Sequence, residues 1–370
     1  MSNLIGIDAS RAVSGAATGT EGYSYHLIRA LLAALPEHLR VRLYFRELPP
    51  DTGVFPGAEL CPIPFPRMWT HTRLSWEMLR HPPDALFVPA HVLPLARPRR
   101  ALVTVHDLGY RYFPEAHPPG KRRYLDWSTR WNVWAASHVL ADSQATRDAI
   151  VREYGAPASK ITVAYPGYDT TLAPIRDPQV LAAVRARYGI PGDYILALGS
   201  IQPRKNLVRL INAFAQILER HPGLTLTLAG PDGWLSAPIV GRVKELGLEK
   251  RVLFPGYVAE RDKAALISGA RAFAFPSLYE GFGFPALEAQ ACGVPLLASN
   301  TSSLPEVTGE GALQVNPLDE SAIAQGLRRL LEDATLRREL TDLGQKNLSR
   351  FSWATTAEIV LRCLRVERAS

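Results

Sequence analysis

Cysteine is scarce in this chain of 370 residues, and Cys61, Cys292 and Cys363 lack the spacing of metal ligands. They cannot build a disulfide framework or a cysteine-rich zinc site, so a reducing, cytoplasmic setting is expected. The first residues lack the basic and apolar regions of a signal peptide. No apolar run reaches the ~20 residues that a membrane-spanning helix needs. Any membrane contact is therefore expected to be peripheral.

Motifs of several functional classes are also missing. No Asp-x-Asp pair occurs and the histidines have no ligand spacing, so no metal and no other cofactor is expected. The residues after Asp8 lack the Gly-x-Gly-x-x-Gly of a nicotinamide-dependent dehydrogenase. Neither a Walker lysine motif nor zinc-finger spacing appears. Nucleic-acid binding would rest on charge alone, and no nucleic-acid partner is expected.

What the chain does have is a globular composition, with 47% hydrophobic and 21% charged residues, and a formal net charge of +7. Its length suits two domains of ordinary size. The positive charge favours partners such as nucleotide diphosphates, polyprenyl phosphates or anionic lipid head groups. Charge of this size permits such partners without identifying one.

Short apolar runs alternate with amphipathic stretches along both halves, which predicts two doubly wound α/β domains, each with a mostly parallel sheet. Residues 1–170 are expected to form the first domain, 171–192 a linker and 193–351 the second domain, with a C-terminal helix at about 352–370 packing back on the first. Ligands of such sheets bind beyond the carboxyl ends of strands, so the cleft between the domains is the expected site. The predicted strands are 4–8, 41–45, 85–88, 102–105, 139–141, 194–198, 224–229, 252–254, 272–275 and 296–298.

Two loops of the second half carry the charged residues best placed to bind a ligand. The first follows strand 194–198, where Gly199 and Ser200 open a turn and Arg204 and Lys205 place two cations beside a helix start. Such a pair could hold a diphosphate and stabilise it as a leaving group. Taken alone, the pair could equally be a solvated part of a loop.

The second loop follows strand 272–275 and runs through Gly281, Phe282, Gly283 and Phe284 into a helix. Its glycines allow bare backbone N–H groups to approach a ligand. Glu280 and Glu288 stand seven residues apart at its two ends and could bind two sets of sugar hydroxyls. Acidic residues near a helix start also have a purely structural explanation.

Glu280 and Glu288 resemble the E-x7-E motif of the retaining GT-B enzymes of glycosyltransferase family 4. The segment 199–206 is similar to that family's G-x-x-x-x-R-K-N segment, and the likeness extends to 230–233, 254–258, 304–307, 105–108, 141–143 and 165–167. It is strongest over 194–310 and weakest before residue 100. The resemblance implies a GT-B fold in which two Rossmann-like domains face a central cleft.

The resemblance also implies a role for each site residue. Arg204 and Lys205 would neutralise the donor diphosphate, and Glu288 would bind the ribose hydroxyls. Glu280 and the backbone of 281–284 would hold the donor hexose, and Tyr257 and Val258 would meet the nucleobase. His106 would lie under the donor sugar, near the acceptor.

Two features of the first half, a glycine-rich loop and a histidine, each allow two interpretations. In the glycine-rich loop 14–23, Gly19 and Gly22 are the candidates for phosphate contact, although Glu21 would repel a phosphate if it pointed inward. His106 beside Asp107 could be a general base or a structural histidine. No separate nucleophile is evident, and the resemblance implies a reaction on one face in which the leaving phosphate helps to deprotonate the acceptor. An orienting role is therefore favoured for His106, with Arg204, Lys205 and Glu280 as the other catalytic candidates.

Basic and aromatic residues are interleaved in two segments, 67–80 and 121–134. They could meet an anionic membrane or an acceptor. In the second segment Trp127, Trp131 and Trp134 share one helical face, which more often means a core, and a buried position is predicted for them.

These observations favour transfer of a hexose, with mannose from GDP-mannose preferred on overall resemblance, to a glycan or polyprenyl-linked acceptor in surface polysaccharide assembly. A peripheral contact with the inner membrane face is left open. The main alternative is a non-catalytic GT-B module that binds sugars or nucleotides. A further alternative is a GT-B sugar-phosphate epimerase, which would act without an acceptor.

Overall fold

The computed structural model describes residues 4–12, 19–90, 92–233 and 235–364. They form two compact units. Unit 1 contains residues up to 111 together with 119–167 and the chain from 351 onward, and unit 2 contains 112–118 and 168–350. Within the described residues, no helix combines the length and the apolar character needed to cross a bilayer.

Unit 1 is built on a seven-stranded parallel sheet in the order β3-β2-β1-β4-β5-β6-β7. Its strands are almost continuous apolar runs because helices cover both faces of a doubly wound sheet. The strands are β1 (Leu4–Asp8), β2 (Arg40–Phe45), β3 (Glu59–Pro62), β4 (Ala85–Val88), β5 (Arg100–Val105), β6 (His138–Ala141) and β7 (Ile161–Val163).

The helices of unit 1 are α1 (Thr20–Ala33), α2 (Ser75–Arg80), α3 (Gly109–Tyr112, which ends at the unit boundary), α4 (Pro119–Ala135), α5 (Gln144–Tyr154) and α14 (Trp353–Cys363). A π-helical turn, Thr70–Leu74, runs directly into α2. The C-terminal helix α14 packs against α1, where Trp353 stacks on His26 with 5.6 Å between ring centroids. Helices α1 and α14, which are far apart in the sequence, thus contribute to one core.

Unit 2 repeats the plan with a six-stranded parallel sheet in the order β10-β9-β8-β11-β12-β13. Its strands are β8 (Tyr194–Leu198), β9 (Thr225–Ala229), β10 (Val252–Gly256), β11 (Ala272–Phe275), β12 (Leu296–Ser299) and β13 (Leu313–Val315). Its helices are α6 (Pro178–Arg187), α7 (Leu207–Ala215), α8 (Ala237–Glu245), α9 (Glu260–Ser268), α10 (Phe284–Ala291), α11 (Leu304–Thr308), α12 (Glu320–Glu332) and α13 (Ala334–Asn347).

The core of unit 2 follows from helical periodicity. In α7 the buried residues Leu207, Leu210, Ile211 and Phe214 recur at intervals of three and four, which places them on one face. That face packs against the sheet and against α12, whose Leu327 is fully buried. Helix α7 is thereby held firmly at its start, where the first candidate loop ends.

The two doubly wound sheets confirm the predicted fold class. The strands missing from the prediction, β3, β7 and β13, all lie at sheet edges, where they are short and weakly patterned. Helix α1 begins at Thr20, inside the glycine-rich loop predicted at 14–23, and so includes Gly22. The segment 171–192, expected as a linker, contains α6, which packs against α9 within unit 2.

Candidate active site

In unit 2 the strand order reverses between β8 and β11, which are hydrogen-bonded neighbours. Parallel strands at such a reversal leave a crevice beyond their carboxyl ends, and ligands of open α/β sheets bind there. The residues that follow these two strands, 199–206 and 276–283, are the two loops predicted to carry the chemistry. The fold therefore brings together side chains about 75 positions apart in sequence.

At this crevice Glu280 accepts hydrogen bonds from both candidate cations. Arg204 Nη1 lies 2.7 Å from Glu280 Oε2, and Lys205 Nζ lies 2.7 Å from Glu280 Oε1. Arg204 Nη1 also donates to the Tyr279 carbonyl oxygen at 2.8 Å. The side chains of Arg204, Lys205 and Glu280 are 20%, 11% and 8% exposed. We call these three residues the ion triad.

The ion triad carries a net charge of +1, since two cations share one carboxylate. Burial alone would raise the pKa of the Glu280 carboxyl, but Arg204 and Lys205 hold that pKa at about 2. Lys205 Nζ also lies 4.7 Å from the centre of the Phe275 ring, a cation–π contact. At neutral pH the carboxylate is therefore ionised and the two cations are fixed in position.

Two glycines make this geometry feasible. Gly199 has φ +139°, and a Cβ added there would lie 3.4 Å from Lys205 Cε, so the lysine side chain crosses close above the turn. Gly283 has φ +113°, and a Cβ added there would lie only 2.7 Å from Leu304 Cδ2. Both positions require a residue without a side chain.

Residues outside the predicted set hold the two loops together. Asn206 is buried, has φ +61°, and donates from Nδ2 to the carbonyl oxygens of Pro276 at 3.0 Å and Pro317 at 2.6 Å. Ser302 Oγ accepts from the Glu280 backbone N–H at 3.0 Å, and Ser303 Oγ donates to the carbonyl oxygens of Glu280 and Phe282. The loop after β12 thus orders the loop after β11.

Glu288 lies in α10 and pairs with Lys263 of α9 instead of joining the ion triad. Lys263 Nζ lies 3.1 Å from Glu288 Oε1 and 2.8 Å from Glu260 Oε2. Burial raises the pKa of the Glu288 carboxyl, and Lys263 counters part of that rise. Burial would lower the pKa of Lys263, but Glu288 and Glu260 raise it overall. Lys263 is therefore a fixed cation that orients Glu288.

The remaining predicted donor residues of unit 2 lie after the carboxyl ends of β8, β10 and β11. Tyr257 and Val258 follow β10, where Tyr257 is 54% exposed and Val258 is buried. Phe282 is buried and its ring meets that of Phe284, edge to face, with centroids 5.1 Å apart. Ser200 follows Gly199, and its hydroxyl accepts from Gln202 Nε2 at 3.1 Å. Gly281 lies between Glu280 and Phe282 in the loop.

In unit 1, His106 follows β5 and pairs with Asp142, which follows the neighbouring strand β6, and not with the adjacent Asp107. His106 Nδ1 lies 2.6 Å from Asp142 Oδ2, and Nε2 lies 2.8 Å from the Pro89 carbonyl oxygen. Burial disfavours the charged ring, but Asp142 outweighs it and raises the pKa of His106. With a carboxylate and a carbonyl facing its two nitrogens, the ring donates from both, as an imidazolium does.

The glycine candidates of unit 1 lie at the start of α1. Gly19 precedes the helix with φ +60° and ψ −117°, and Gly22 lies in its first turn. Glu21, which would have repelled a phosphate, pairs with Arg11 at 3.1 Å. Most of the loop before Gly19, residues 13–18, lies outside the described residues.

Comparison with known proteins gives the same assignment to both halves of the chain. Residues 17–172 match the family model "Glycosyltransferase Family 4", and residues 185–347 match "Glycosyl transferases group 1". The O-antigen chain mannosyltransferase B of Escherichia coli is 33% identical over 283 residues, covering 76% of this chain and 74% of that protein. The chain is a family 4 glycosyltransferase. The resemblance predicted from its motifs is confirmed.

Solved structures share the fold of this glycosyltransferase. Sucrose-phosphate synthase from Thermosynechococcus elongatus superimposes with a TM-score of 0.76 at 23% identity, covering 99% of this chain and 98% of that one. HepE from Anabaena, in complex with UDP and glucose, superimposes with a TM-score of 0.74 at 19% identity, covering 99% and 100%. The glycosyltransferase spans only 22–28% of the length of three longer E. coli mannosyltransferases that also match.

Lys263, Ser302 and Ser303 of this glycosyltransferase are not predicted from the sequence, and Asn206 is predicted only as part of a motif. Glu260 precedes Lys263 by three residues and pairs with it on α9, but the start of this helix at Glu260 is known only from the structure. The serines gave no signal either. Among the described residues, no group of three or more His, Cys, Asp or Glu side chains is placed to hold a metal ion.

Proposed function

We propose that this glycosyltransferase transfers a hexose from a nucleotide diphosphate sugar to a hydroxyl of a glycan or polyprenyl-linked acceptor, with retention of anomeric configuration. Mannose from GDP-mannose is the proposed donor, and surface polysaccharide assembly on the cytoplasmic side the proposed setting. The observation that carries the proposal is the ion triad of Arg204, Lys205 and Glu280 at the strand-order reversal of unit 2.

The ion triad fits a diphosphate because it keeps a net positive charge at the ligand-binding edge of the sheet. Charge-assisted hydrogen bonds from Arg and Lys to phosphate oxygens are short and strong. As the bond between the anomeric carbon and the diphosphate oxygen breaks, negative charge grows on the diphosphate, where these cations stabilise it. Two fixed cations supply the neutralisation that a divalent metal supplies elsewhere, so the proposed reaction needs no metal and no further cofactor.

The neighbouring residues are assigned to the rest of the donor. Glu288, oriented by Lys263, is proposed to accept hydrogen bonds from the ribose hydroxyls. The backbone N–H groups of residues 281–284, with Glu280, are assigned to the hexose. The turn at Gly199 and Ser200 is assigned to the phosphates, and the Tyr257 and Val258 backbone to the nucleobase. Because Glu280 already binds both cations, its main proposed role is to position Arg204 and Lys205.

His106 is proposed to orient the reacting groups and not to take the acceptor proton. Both of its ring nitrogens donate, to Asp142 and to Pro89, so neither is placed to accept a proton. In the proposed step the acceptor oxygen bonds to the anomeric carbon on the face that the diphosphate leaves, and the acceptor proton passes to the departing diphosphate. Gly19 and Gly22 are proposed to approach the phosphates through their backbone N–H groups.

The relatives support the choice of donor. The E. coli relative at 33% identity is named as a mannosyltransferase, which favours mannose. HepE was solved with UDP and glucose, which supports a nucleotide-sugar donor for this fold. GDP-mannose is accordingly the first donor to test.

The test is product analysis by NMR after incubating the protein with GDP-mannose and a mannoside acceptor on a hydrophobic aglycone, with EDTA present. The proposal predicts turnover that EDTA leaves unchanged and a new α-linkage, read from the one-bond carbon–proton coupling at the anomeric carbon. A β-linkage would refute retention, and loss of turnover with EDTA would refute metal independence. Donor binding without transfer to any acceptor would favour the non-catalytic module.

A further inference from the structure

The two basic-aromatic segments of the sequence come together on the surface of unit 1. His71, in the π-helical turn Thr70–Leu74, places Nε2 3.0 Å from the hydroxyl of Tyr124 in α4. The His71 ring also meets the Trp127 ring, with centroids 5.4 Å apart. Segments about 50 residues apart in sequence therefore build one continuous surface.

Helix α4 presents an aromatic stripe on this surface. Tyr124, Trp127, Trp131 and Trp134 follow one another, with successive ring centroids 6.0, 6.4 and 5.4 Å apart. Tyr124, Trp127 and Trp134 are 47%, 44% and 71% exposed. The predicted burial of Trp127 and Trp134 is therefore wrong.

The opposite face of α4 explains why the tryptophans point outward. It is buried through small and polar residues whose side chains have partners inside unit 1. Asn132 Oδ1 accepts from the Leu93 backbone N–H at 2.9 Å, and Thr129 Oγ1 accepts from the Tyr110 hydroxyl at 2.8 Å. The fold is held by this polar face, so the aromatic stripe is not needed for the core.

The helix that carries the stripe is positively charged. Helix α4 has four cations and one acidic residue, Asp126, which gives it a net charge of +3. The four cations are all exposed: Lys121, Arg122, Arg123 and Arg130. Asp126 pairs with both Arg111 and Arg130. The guanidinium carbon of Arg97 lies 5.0 Å from the Trp131 ring centre and 5.9 Å from that of Trp134. We call α4 with His71 and Arg97 the aromatic-basic face.

We propose that the aromatic-basic face docks on an anionic lipid bilayer. Trp and Tyr rings have an apolar body and a polar edge, and they favour the boundary between head groups and acyl chains. Flanking Lys and Arg residues are attracted to the negative surface potential of anionic lipids. A bilayer satisfies both features at once, along a helix of 17 residues that spans about 25 Å.

Charge complementarity also argues against a second copy of the chain as the occupant. A symmetric pairing would place one copy of α4, with a charge of +3, against another of the same sign, and like charges across an interface are unfavourable. The proposal does not depend on the identity of the donor. It adds a surface at which a lipid-linked acceptor would be met.

The experiment is co-sedimentation of the full chain with sucrose-loaded vesicles of phosphatidylcholine, with or without about 30 mol % phosphatidylglycerol. We expect binding to the anionic vesicles, weaker binding to the neutral ones, and weakening by salt. Trp127→Ala with Trp134→Ala should lower the partition coefficient at least about tenfold. Arg122→Glu with Arg123→Glu should lower it by about fivefold or more for each cation removed.

Matched controls lie on unit 2. Lys244→Glu with Lys250→Glu changes the same charge at exposed positions, and Leu318→Ala removes an exposed apolar side chain. Both controls should bind anionic vesicles as the wild type does. An unchanged melting temperature without ligand shows that each variant is folded, so the result does not depend on the donor assignment.

Three results would overturn the proposal. The first is that the wild type fails to sediment with anionic vesicles, and the second is that the face variants sediment as well as the wild type. The third is a dimer in light scattering that Trp127→Ala and Trp134→Ala dissociate, which would assign the face to a second copy.

Discussion

The two units use paired charges in opposite ways. In unit 1 a single cation, His106, is held between the Asp142 carboxylate and the Pro89 carbonyl, and the imidazolium–carboxylate pair is neutral. In unit 2 two cations, Arg204 and Lys205, share the carboxylate of Glu280, and a charge of +1 persists. The first arrangement leaves no net charge, whereas the second leaves a positive charge that we propose attracts an anion. The predictions below test this difference, from the largest expected effect to the smallest.

Removing a cation of the ion triad should give the largest effect. Lys205→Ala leaves Arg204 to neutralise Glu280, so the net charge at the crevice falls from +1 to 0. We expect kcat/KM for transfer from the nucleotide sugar to fall by about 10²–10³-fold, as it does when an enzyme loses one hydrogen-bond donor to a developing oxyanion.

Lys244→Ala is the matched control for Lys205→Ala, because it removes an exposed lysine of the same unit. It should leave kcat/KM unchanged. Equal activities of Lys205→Ala and the wild type would show that the ion triad does not stabilise the leaving diphosphate.

Asn206→Ala should destabilise the protein by about 2–3 kcal/mol. It leaves the buried carbonyls of Pro276 and Pro317 without this donor and places alanine at φ +61°. Urea unfolding measures the loss. Asn206→Gly relieves the backbone conformation while still losing both bonds, so it should recover only part of the stability. Full recovery with glycine would show that the hydrogen bonds contribute nothing.

Lys263→Met should weaken binding of a ribonucleoside diphosphate about tenfold, with little effect on the 2′,3′-dideoxy analogue. Without Lys263 the pKa of the buried Glu288 carboxyl rises further, and a protonated carboxyl is a poorer acceptor. Affinity of the variant should therefore recover as pH rises. Calorimetric titration measures the ratio of the dissociation constants of the two ligands. Lys263→Arg should leave that ratio as it is in the wild type. Equal losses for both ligands would mean that Lys263 acts on the fold and not through Glu288.

His106→Gln should show a pH-dependent loss of stability in unit 1. The folded pKa of His106 is raised, so its charged pair with Asp142 stabilises the fold fully below the unfolded pKa of about 6.5 and less as pH rises through the folded pKa. The difference in unfolding free energy between wild type and variant should accordingly shrink from pH 6 toward alkaline pH. A difference independent of pH would contradict an imidazolium–carboxylate pair.

The sequence predicted the two-sheet fold and the loops of unit 2, because buried parallel strands have clear apolar runs and the E-x7-E spacing is distinctive. It did not predict that Glu280 would bind Arg204 and Lys205 together, since this depends on β8 and β11 being neighbours. It was wrong about Trp127 and Trp134, because helical periodicity identifies a face but not whether that face is buried. In α4 hydrogen-bonded polar residues were buried instead.

The most direct test of the ion triad as a diphosphate site is a thermal-shift panel of the purified protein with GDP-mannose, UDP-glucose, GDP, UDP and NAD, repeated with Lys205→Ala. A ligand that binds only the native state raises the melting temperature by mass action. The account predicts a shift with GDP-mannose and GDP that Lys205→Ala abolishes, and none with NAD. A shift with NAD alone, or none with any nucleotide at concentrations well above typical dissociation constants, would contradict it.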